Sequence, residues 1–404
     1  MNNHMAEWTI MIFMNGDNDL ERWAVMDFNE IAKVDFGSMV NVVVQFDRIG
    51  DYISTNPQWT GCLRFKMFKG IEPLPTFAVQ NMGELNMGSG KVLGDFVQWS
   101  RQNYPAKHYM LDVWNHGQGW RLATDTGISV SGRYKYISSD STQGDIMYNR
   151  ELQDSLFNVL KGEKLDVIGF DACLMATIET GFAMRNIAHV MVASEEIEPL
   201  SGWRYNHWLQ LLVDDPSMDA VALGKMLVDS YRNTSEHDEE FRATFAMTLS
   251  AIQLSKMNDL AFVVHDLSEE MIRHLKKDIL NIQKARASCY KYAMGEADVH
   301  SIDLSKFCEN LQNTTSFLII KKKAKLVCKL IDLLIIDNYA SKYLQGDFGS
   351  KGIAIYFPET HALFLQDKYS TGYLNGNPEY PVEFVDKFKW DDFLQSYYSV
   401  LEEV

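Results

Sequence analysis

The sequence predicts an α/β fold in which a mostly parallel sheet is covered by helices on both faces, a three-layer α/β/α sandwich. Over roughly the first 215 residues, apolar strand-like runs alternate with segments of helical periodicity. The runs are rich in Val and Ile and continuously apolar, as strands buried on both faces must be. Beyond that point long helical patterns dominate, so the chain is expected to carry a mainly helical C-terminal extension with one late strand.

Taken in order, WTIMIFM (8–14) reads as a buried strand, NGDND (15–19) as a turn rich in capping residues, and LERWAVMDFNEIAKV (20–34) as a helix. MVNVVVQFD (39–47) is a second buried strand, and WTGCLRFKMF (59–68) alternates like one arm of a hairpin. A Gly-rich turn (86–90) precedes a helix at 91–102, followed by a strand at 108–114, a helix at 149–160 and a strand at 165–170. A helix is expected to start near Leu174, with a further strand at 188–194 and one at 244–254. Helical patterns then cover 218–234, 255–285, 304–313 and 320–337, with a late strand at 351–358 and a terminal amphipathic helix. These textures divide the chain into a catalytic-type α/β domain, 1–250, and a C-terminal region, 251–404.

The bulk numbers limit the function. The 404 residues are 46% hydrophobic and 23% charged, a globular composition, and suggest about two domains. A formal net charge of −16 argues against nucleic acid, which requires a basic stripe, and disfavours an anionic membrane. The five cysteines are widely spaced and form no CxxC, so neither a zinc knuckle, a redox pair nor a disulfide framework is expected. No run is long enough to span a bilayer, and the N-terminus lacks the basic start of a signal peptide. The compartment is left undetermined, and a monomer is expected.

Two strand-like runs end in reactive side chains. The first, KHYMLDVW, leads to Asn115-His116-Gly117, and the second, LDVIGF, to Asp171-Ala172-Cys173. Sites in parallel sheets lie at the carboxyl ends of the strands, so both residues fall where a site is built. Their separation of 57 residues leaves room for one loop and one crossover helix, as a right-handed βαβ unit needs. Thiolate is the nucleophilic form of cysteine, and a neighbouring imidazole can take its proton. Gly117, lacking a Cβ, lets backbone approach a substrate, and its N–H with that of Cys173 could hold an oxyanion. A helix N-terminus beginning near Leu174 would favour the thiolate. The loop joining the two, 118–148, is long and rich in Gly, Ser, Thr and Asp, which points to function.

The segments WTIMIFMNGDNDLE (8–21), WNHGQGW (114–120), GFDACLMATIE (170–179), ASEEIEPLSGW (193–203) and GIAIYFP (352–358) together resemble the clostripain-like cysteine peptidases, relatives of caspases, gingipains, legumains and separase. The resemblance implies a caspase-like sandwich and a cysteine endopeptidase with His116 as general base and acid and Cys173 as nucleophile. It implies cleavage of peptides or proteins after Arg or Lys, with Asp171 in the pocket for that side chain. A carboxylate there would bind a guanidinium through paired, charge-assisted hydrogen bonds. The family often carries a second acid in a Glu-Pro-x-Asp-Gly-Trp pattern, where this chain has Ser201 in Glu198-Pro199-Leu200-Ser201-Gly202-Trp203. A hydroxyl is a weaker partner for a cation, and Glu195, Glu196 and Glu198 are candidates to compensate. Family members are made as zymogens that cut themselves between His and Cys, which makes Arg133 and Lys135 candidate self-cleavage positions. The departure at Ser201 also admits a catalytically silent homologue acting as a binding protein, and the sheet alone admits a non-proteolytic thiol hydrolase.

No cofactor is required by this chemistry. Asn15-Gly16-Asp17-Asn18-Asp19 has the oxygen density of a calcium loop but lacks an EF-hand's terminal Glu. Capping of the following helix by Asp19 or Asn18 is the expected role. Some members of the family depend on calcium, so that ion stays a candidate. His108, His189 and His207 show no ligand spacing and read as structural or surface residues, so no metal site is assigned.

Overall fold

A computed structural model describes residues 5–49, 59–117, 119–120, 139–237, 246–293, 300–345, 348–367, 370–374 and 382–403. The first strand, β1 (Ala6–Gly16), is followed by α1 (Glu21–Ile31) and β2 (Val40–Arg48). Then come β3 (Gly61–Lys66), β4 (Gln80–Gly83), α2 (Gly90–Asn103) and β5 (Ala106–Trp114). A short hairpin, β6 (Ser139–Asp140) and β7 (Asp145–Ile146), leads into α3 (Asn149–Leu160), β8 (Leu165–Asp171), α4 (Ile178–Met184) and β9 (Ala188–Ala193). The chain continues through α5 (Tyr205–Asp214), α6 (Ala220–His237), β10 (Thr248–Gln253) and the long α7 (Met257–Ala287). It ends with β11 (Ser301–Asp303), α8 (Leu304–Thr314), α9 (Leu318–Leu334), β12 (Ile335–Ala340), β13 (Ala354–Tyr356), α10 (His361–Gln366), α11 (Glu383–Phe388) and α12 (Trp390–Leu401).

The main sheet has the order β12-β10-β9-β8-β5-β1-β2-β3-β4. Its central strands β9, β8, β5, β1 and β2 run parallel, and antiparallel neighbours close each side. The alternation of side chains across β5 explains the layers. Leu111 and Val113 join the core under α2, α3, α4 and the C-terminal helices, while Met110 and Trp114 join the core under α1, α5 and α6. No described helix is long and apolar enough to cross a membrane.

Residues after 250 contribute to the same sheet and core. The pattern at 320–337 predicts one helix, but the chain leaves it at Leu334 and pairs antiparallel with β10 as the edge strand β12. Asp337-Asn338 are poor helix residues, and Ile335 faces Ile252 across the ladder. The late strand is shorter than expected and pairs with β11 in a separate two-stranded sheet. The terminal helix is broken into α11 and α12 by Lys389, which adopts a left-handed φ of 54°.

The expected helix at Leu174 is also corrected. Leu174 has φ 65°, which no helix accepts, and α4 starts only at Ile178, capped by the Thr177 hydroxyl. The backbone of the intervening residues is engaged elsewhere. Leu174 N–H donates to Glu196 O, Ala176 N–H donates to Ser194 O, and Ala176 O accepts from Ala354 N–H. A helix terminus therefore does not lie behind Cys173.

Candidate active site

In the β5–β8 ladder Trp114 lies opposite Asp171, and Asn115 N–H donates to Asp171 O at 3.3 Å. Two residues further along each strand come His116 and Cys173. The register thus brings the histidine and the cysteine side by side, and both line one pocket with Asp171, Glu198, Pro199 and Leu200. The two loops touch through Gly117: a Cβ there would stand 2.2 Å from the Cys173 carbonyl oxygen. Only glycine permits that approach. Among the described residues, the Gly117 N–H donates no hydrogen bond. Cys173 Sγ accepts from the Glu198 N–H at 3.2 Å, which fixes the sulfur.

His116 is held by the segment 15–19. Its Nε2 pairs with Asp19 Oδ1 at 2.7 Å, while the neighbouring Asn115 donates to Asn15 O and accepts from Asn18 Nδ2. Asn18 Oδ1 accepts from Leu20 N–H just before α1, whose N-cap position is Leu20 and which has no side-chain cap. Asp19 instead orients the imidazole, a role missed in the sequence. The topology contained the signal: β1 lies beside β5 in the sheet, so the turn after β1 falls next to the turn after β5.

The pocket floor is a group of buried carboxyls. Asp171 accepts from Trp203 N–H (3.2 Å) and from the Tyr205 hydroxyl (3.0 Å), and the same hydroxyl reaches Asp112 at 2.6 Å. Glu198 accepts from Trp203 Nε1 at 3.0 Å, and its carboxyl hydrogen-bonds that of Asp171. Two carboxyls can do so only with a proton on one of them. Burial pushes Asp171 up to about 6 and Asp112 to about 8; it raises Asp27 and Glu198 well above the carboxylate range, and repulsion from Asp171 adds to the rise of Asp112, Asp27 and Glu198. Gly202, at φ +52°, crosses directly over this floor: a Cβ there would stand 2.7 Å from Asp171 Oδ2.

Ser201 sits in the wall but does not line the pocket. Its Oγ is buried without a partner, and Leu200 and Gly202 face the cavity instead. Of the three candidate glutamates, only Glu198 lines the pocket. Glu195 accepts from Gly352 N–H and is repelled by Asp303, and Glu196 accepts from Ile197 and Ala293 N–H groups. Asp112 and Asp27 were not anticipated. The legible sign was an aspartate inside the apolar strand LDVW. Arg133 and Lys135 lie outside the described residues. The cavity is narrow, about 30 Å³, room for a water or two.

A mostly parallel α/β/α sheet with a histidine and a cysteine past the ends of adjacent strands defines a cysteine peptidase of caspase-like architecture. The comparisons agree. The clostripain family model matches residues 12–397, and the chain belongs to that family. It is 22% identical to clostripain of Hathewaya histolytica over 414 residues, spanning 90% of this chain and 76% of that one. Its fold is similar to an inactive zymogen C11 protease from Parabacteroides distasonis, with TM-score 0.67 and 16% identity over 98% of this chain and 99% of that one. It is also similar to a secreted C11 cysteine protease from Bacteroides thetaiotaomicron solved with an irreversible peptide inhibitor, with TM-score 0.65 and 18% identity over 97% and 99%.

Proposed function

We propose that this cysteine peptidase is an endopeptidase with a His116–Cys173 dyad that cleaves after Arg or Lys. The observation that carries the specificity is the pocket floor, where Asp171 and Glu198 face the cavity and Asp112 and Asp27 stand behind them. Carboxyls gathered in a buried site repel one another, and an entering guanidinium or ammonium relieves that repulsion. Glu198 supplies the second acid that Ser201 does not.

His116 removes the Cys173 proton, and the thiolate attacks the scissile carbonyl carbon. The Gly117 and Cys173 N–H groups receive the oxyanion; the Gly117 donor has no competing partner among the described residues. Collapse breaks the C–N bond, and His116 returns the proton to the leaving amine. Water then hydrolyses the thioester. Asp19 is a positioning residue that holds one imidazole nitrogen so the other can face the sulfur. The narrow cavity, with Cys173 only 6% exposed, suits an unprocessed form that opens on self-cleavage at Arg133 or Lys135.

The test is turnover of fluorogenic peptides ending in Arg, Lys or an uncharged residue, on the wild type and on Cys173→Ala, with chain integrity followed on a denaturing gel. Turnover after Arg or Lys that is lost in Cys173→Ala is the expected result. Cys173-dependent turnover of uncharged peptides alone would remove the basic specificity. An intact chain that turns over no peptide, even with calcium added, would favour an unprocessed zymogen, a silent homologue or a non-proteolytic thiol hydrolase.

A further inference from the structure

Cys308 and Cys328 stand 20 residues apart and in no CxxC motif, so the sequence gives no sign of a redox pair. The fold makes one. Cys308 lies in α8 and Cys328 in α9. Cys328 Sγ donates to Ser305 O at 3.6 Å and accepts from Gln312 Nε2 at 3.6 Å. Ser305 is one helical turn before Cys308 and Gln312 one turn after it, so all three share a face of α8. The Cys328 sulfur is thus centred on Cys308, and the two thiols hydrogen-bond each other. Their surroundings differ. Cys308 is fully buried, and burial pushes its thiol up. Cys328 is half-buried, and the bond from Cys308 holds its thiol below the ordinary value. Thiolate is the form that attacks a disulfide, so Cys328 has the access and the ionisation of an attacking thiol, with Cys308 directly behind it. Cys289 is engaged elsewhere: it donates to Ala285 O at 3.4 Å and accepts from Asn310 Nδ2, and burial pushes its thiol up to about 12.

We propose that Cys308 and Cys328 are a thiol-modification site: they form a reversible disulfide by exchange with a small aliphatic disulfide, and the bridge clamps α8 to α9. The Cys328 thiolate attacks one sulfur of the external disulfide, whose S–S bond breaks and releases a first thiolate. Cys308 then gives up its proton and attacks the Cys328 sulfur of the mixed disulfide, and the second external thiolate leaves. Each departing thiolate takes up a proton equivalent to the one lost by a protein thiol. Two protein thiols are oxidised by two electrons, and one external disulfide is reduced to two thiols. The clamp reaches the main sheet at two points. α9 runs directly into the edge strand β12. α8 is capped by Asp303, whose carboxyl hydrogen-bonds that of Glu195 just past the end of β9.

The experiment uses the full chain carrying Cys173→Ala, which removes the nucleophile of the proposed dyad and makes the result independent of the peptidase reading. The folded protein is incubated with oxidised glutathione and quenched in acid, and its intact mass and tryptic peptides are measured. The expected product has lost two hydrogen atoms and joins the Cys308 and Cys328 peptides. Its Tm should rise by about 3 °C or more and return on reduction, as closing a loop of this length in the unfolded chain predicts. On the same background, Cys308→Ala should stop at a glutathione adduct on Cys328. Cys328→Ala should leave the buried Cys308 at least about tenfold slower to react than Cys328 is in the first variant. No bridge in the parent, a bridge through Cys289 or Cys62, an unchanged Tm in the bridged protein, or a Cys308 adduct that forms as fast without Cys328 would each overturn the proposal.

Discussion

At the residue scale, the proposed dyad depends on a carboxylate outside it. Nε2 of His116 is tied to Asp19, which leaves the other nitrogen for the proton transfer proposed with Cys173. Replacing Asp19 with Asn keeps the shape but removes the charge that fixes the tautomer. A loss in kcat of about tenfold or more is expected, with KM little changed, because the interaction orients a proton-transfer group and touches no substrate. An equal kcat for Asp19→Asn would make the contact merely structural. The pocket floor gives a different signature. Burial holds the Asp171 carboxyl at about 6, with hydrogen bonds from Trp203 N–H and Tyr205 limiting the rise. Below that value the carboxyl is neutral and pairs poorly with a cation. The KM of an Arg-ending peptide should therefore fall as pH rises from about 5 to about 7, while that of an uncharged peptide stays flat. A flat Arg profile would take Asp171 out of substrate binding.

At the element scale, the opposition of two strand ends makes the candidate site, and the strands that carry it were legible. The apolar runs of β1, β2, β5, β8 and β9 specify buried parallel strands, and His116 and Cys173 end two of them. Gly117 was legible as a close-approach glycine, though the backbone it approaches is that of Cys173 itself. Gly117→Ala should push the two loops apart and lower kcat/KM by about a hundredfold, the cost of misplacing reacting groups by about an ångström. Unchanged kinetics in that variant would mean that the loops do not meet as described. The segment just after Cys173 was not legible. LMAT has helical propensity, but its backbone hydrogen bonds go to Glu196, Ser194 and Ala354, partners far along the chain. Local periodicity cannot report such pairing, nor that IIDNYA leaves α9 to become the edge strand β12. The buried carboxyls behind Asp171 were hidden for a related reason: Asp27 and Asp112 become neighbours only when α1 packs on β5, where Trp114 Nε1 donates to Asp27.

At the scale of the whole molecule, the residues after 250 complete the catalytic layer. One core runs without interruption from Met11 and Leu111 in the sheet to Phe393 and Tyr398 in the terminal helix. The tie between the halves is polar as well as apolar. Arg185, at the end of α4, makes two hydrogen bonds to Glu383 in α11, at 2.7 and 2.8 Å, and both side chains are largely buried. Burial alone would raise the Glu383 carboxyl, but hydrogen bonds from Arg185, Lys387 and Gln153 outweigh it and hold it at about 2. Its folded value lies below its unfolded one, so the stability it contributes is present in full above about pH 4.5 and is lost as pH falls towards 2. Glu383→Gln should therefore lower stability at neutral pH by about 2 kcal/mol, after allowing for solvent screening, and the gap to the wild type should close under acid. The measurement is denaturant unfolding of both proteins at several pH values. A deficit that persists at the lowest pH would assign the effect to packing of α11. A deficit that closes would show that a charge pair in the C-terminal region secures α4, the first helix after Cys173.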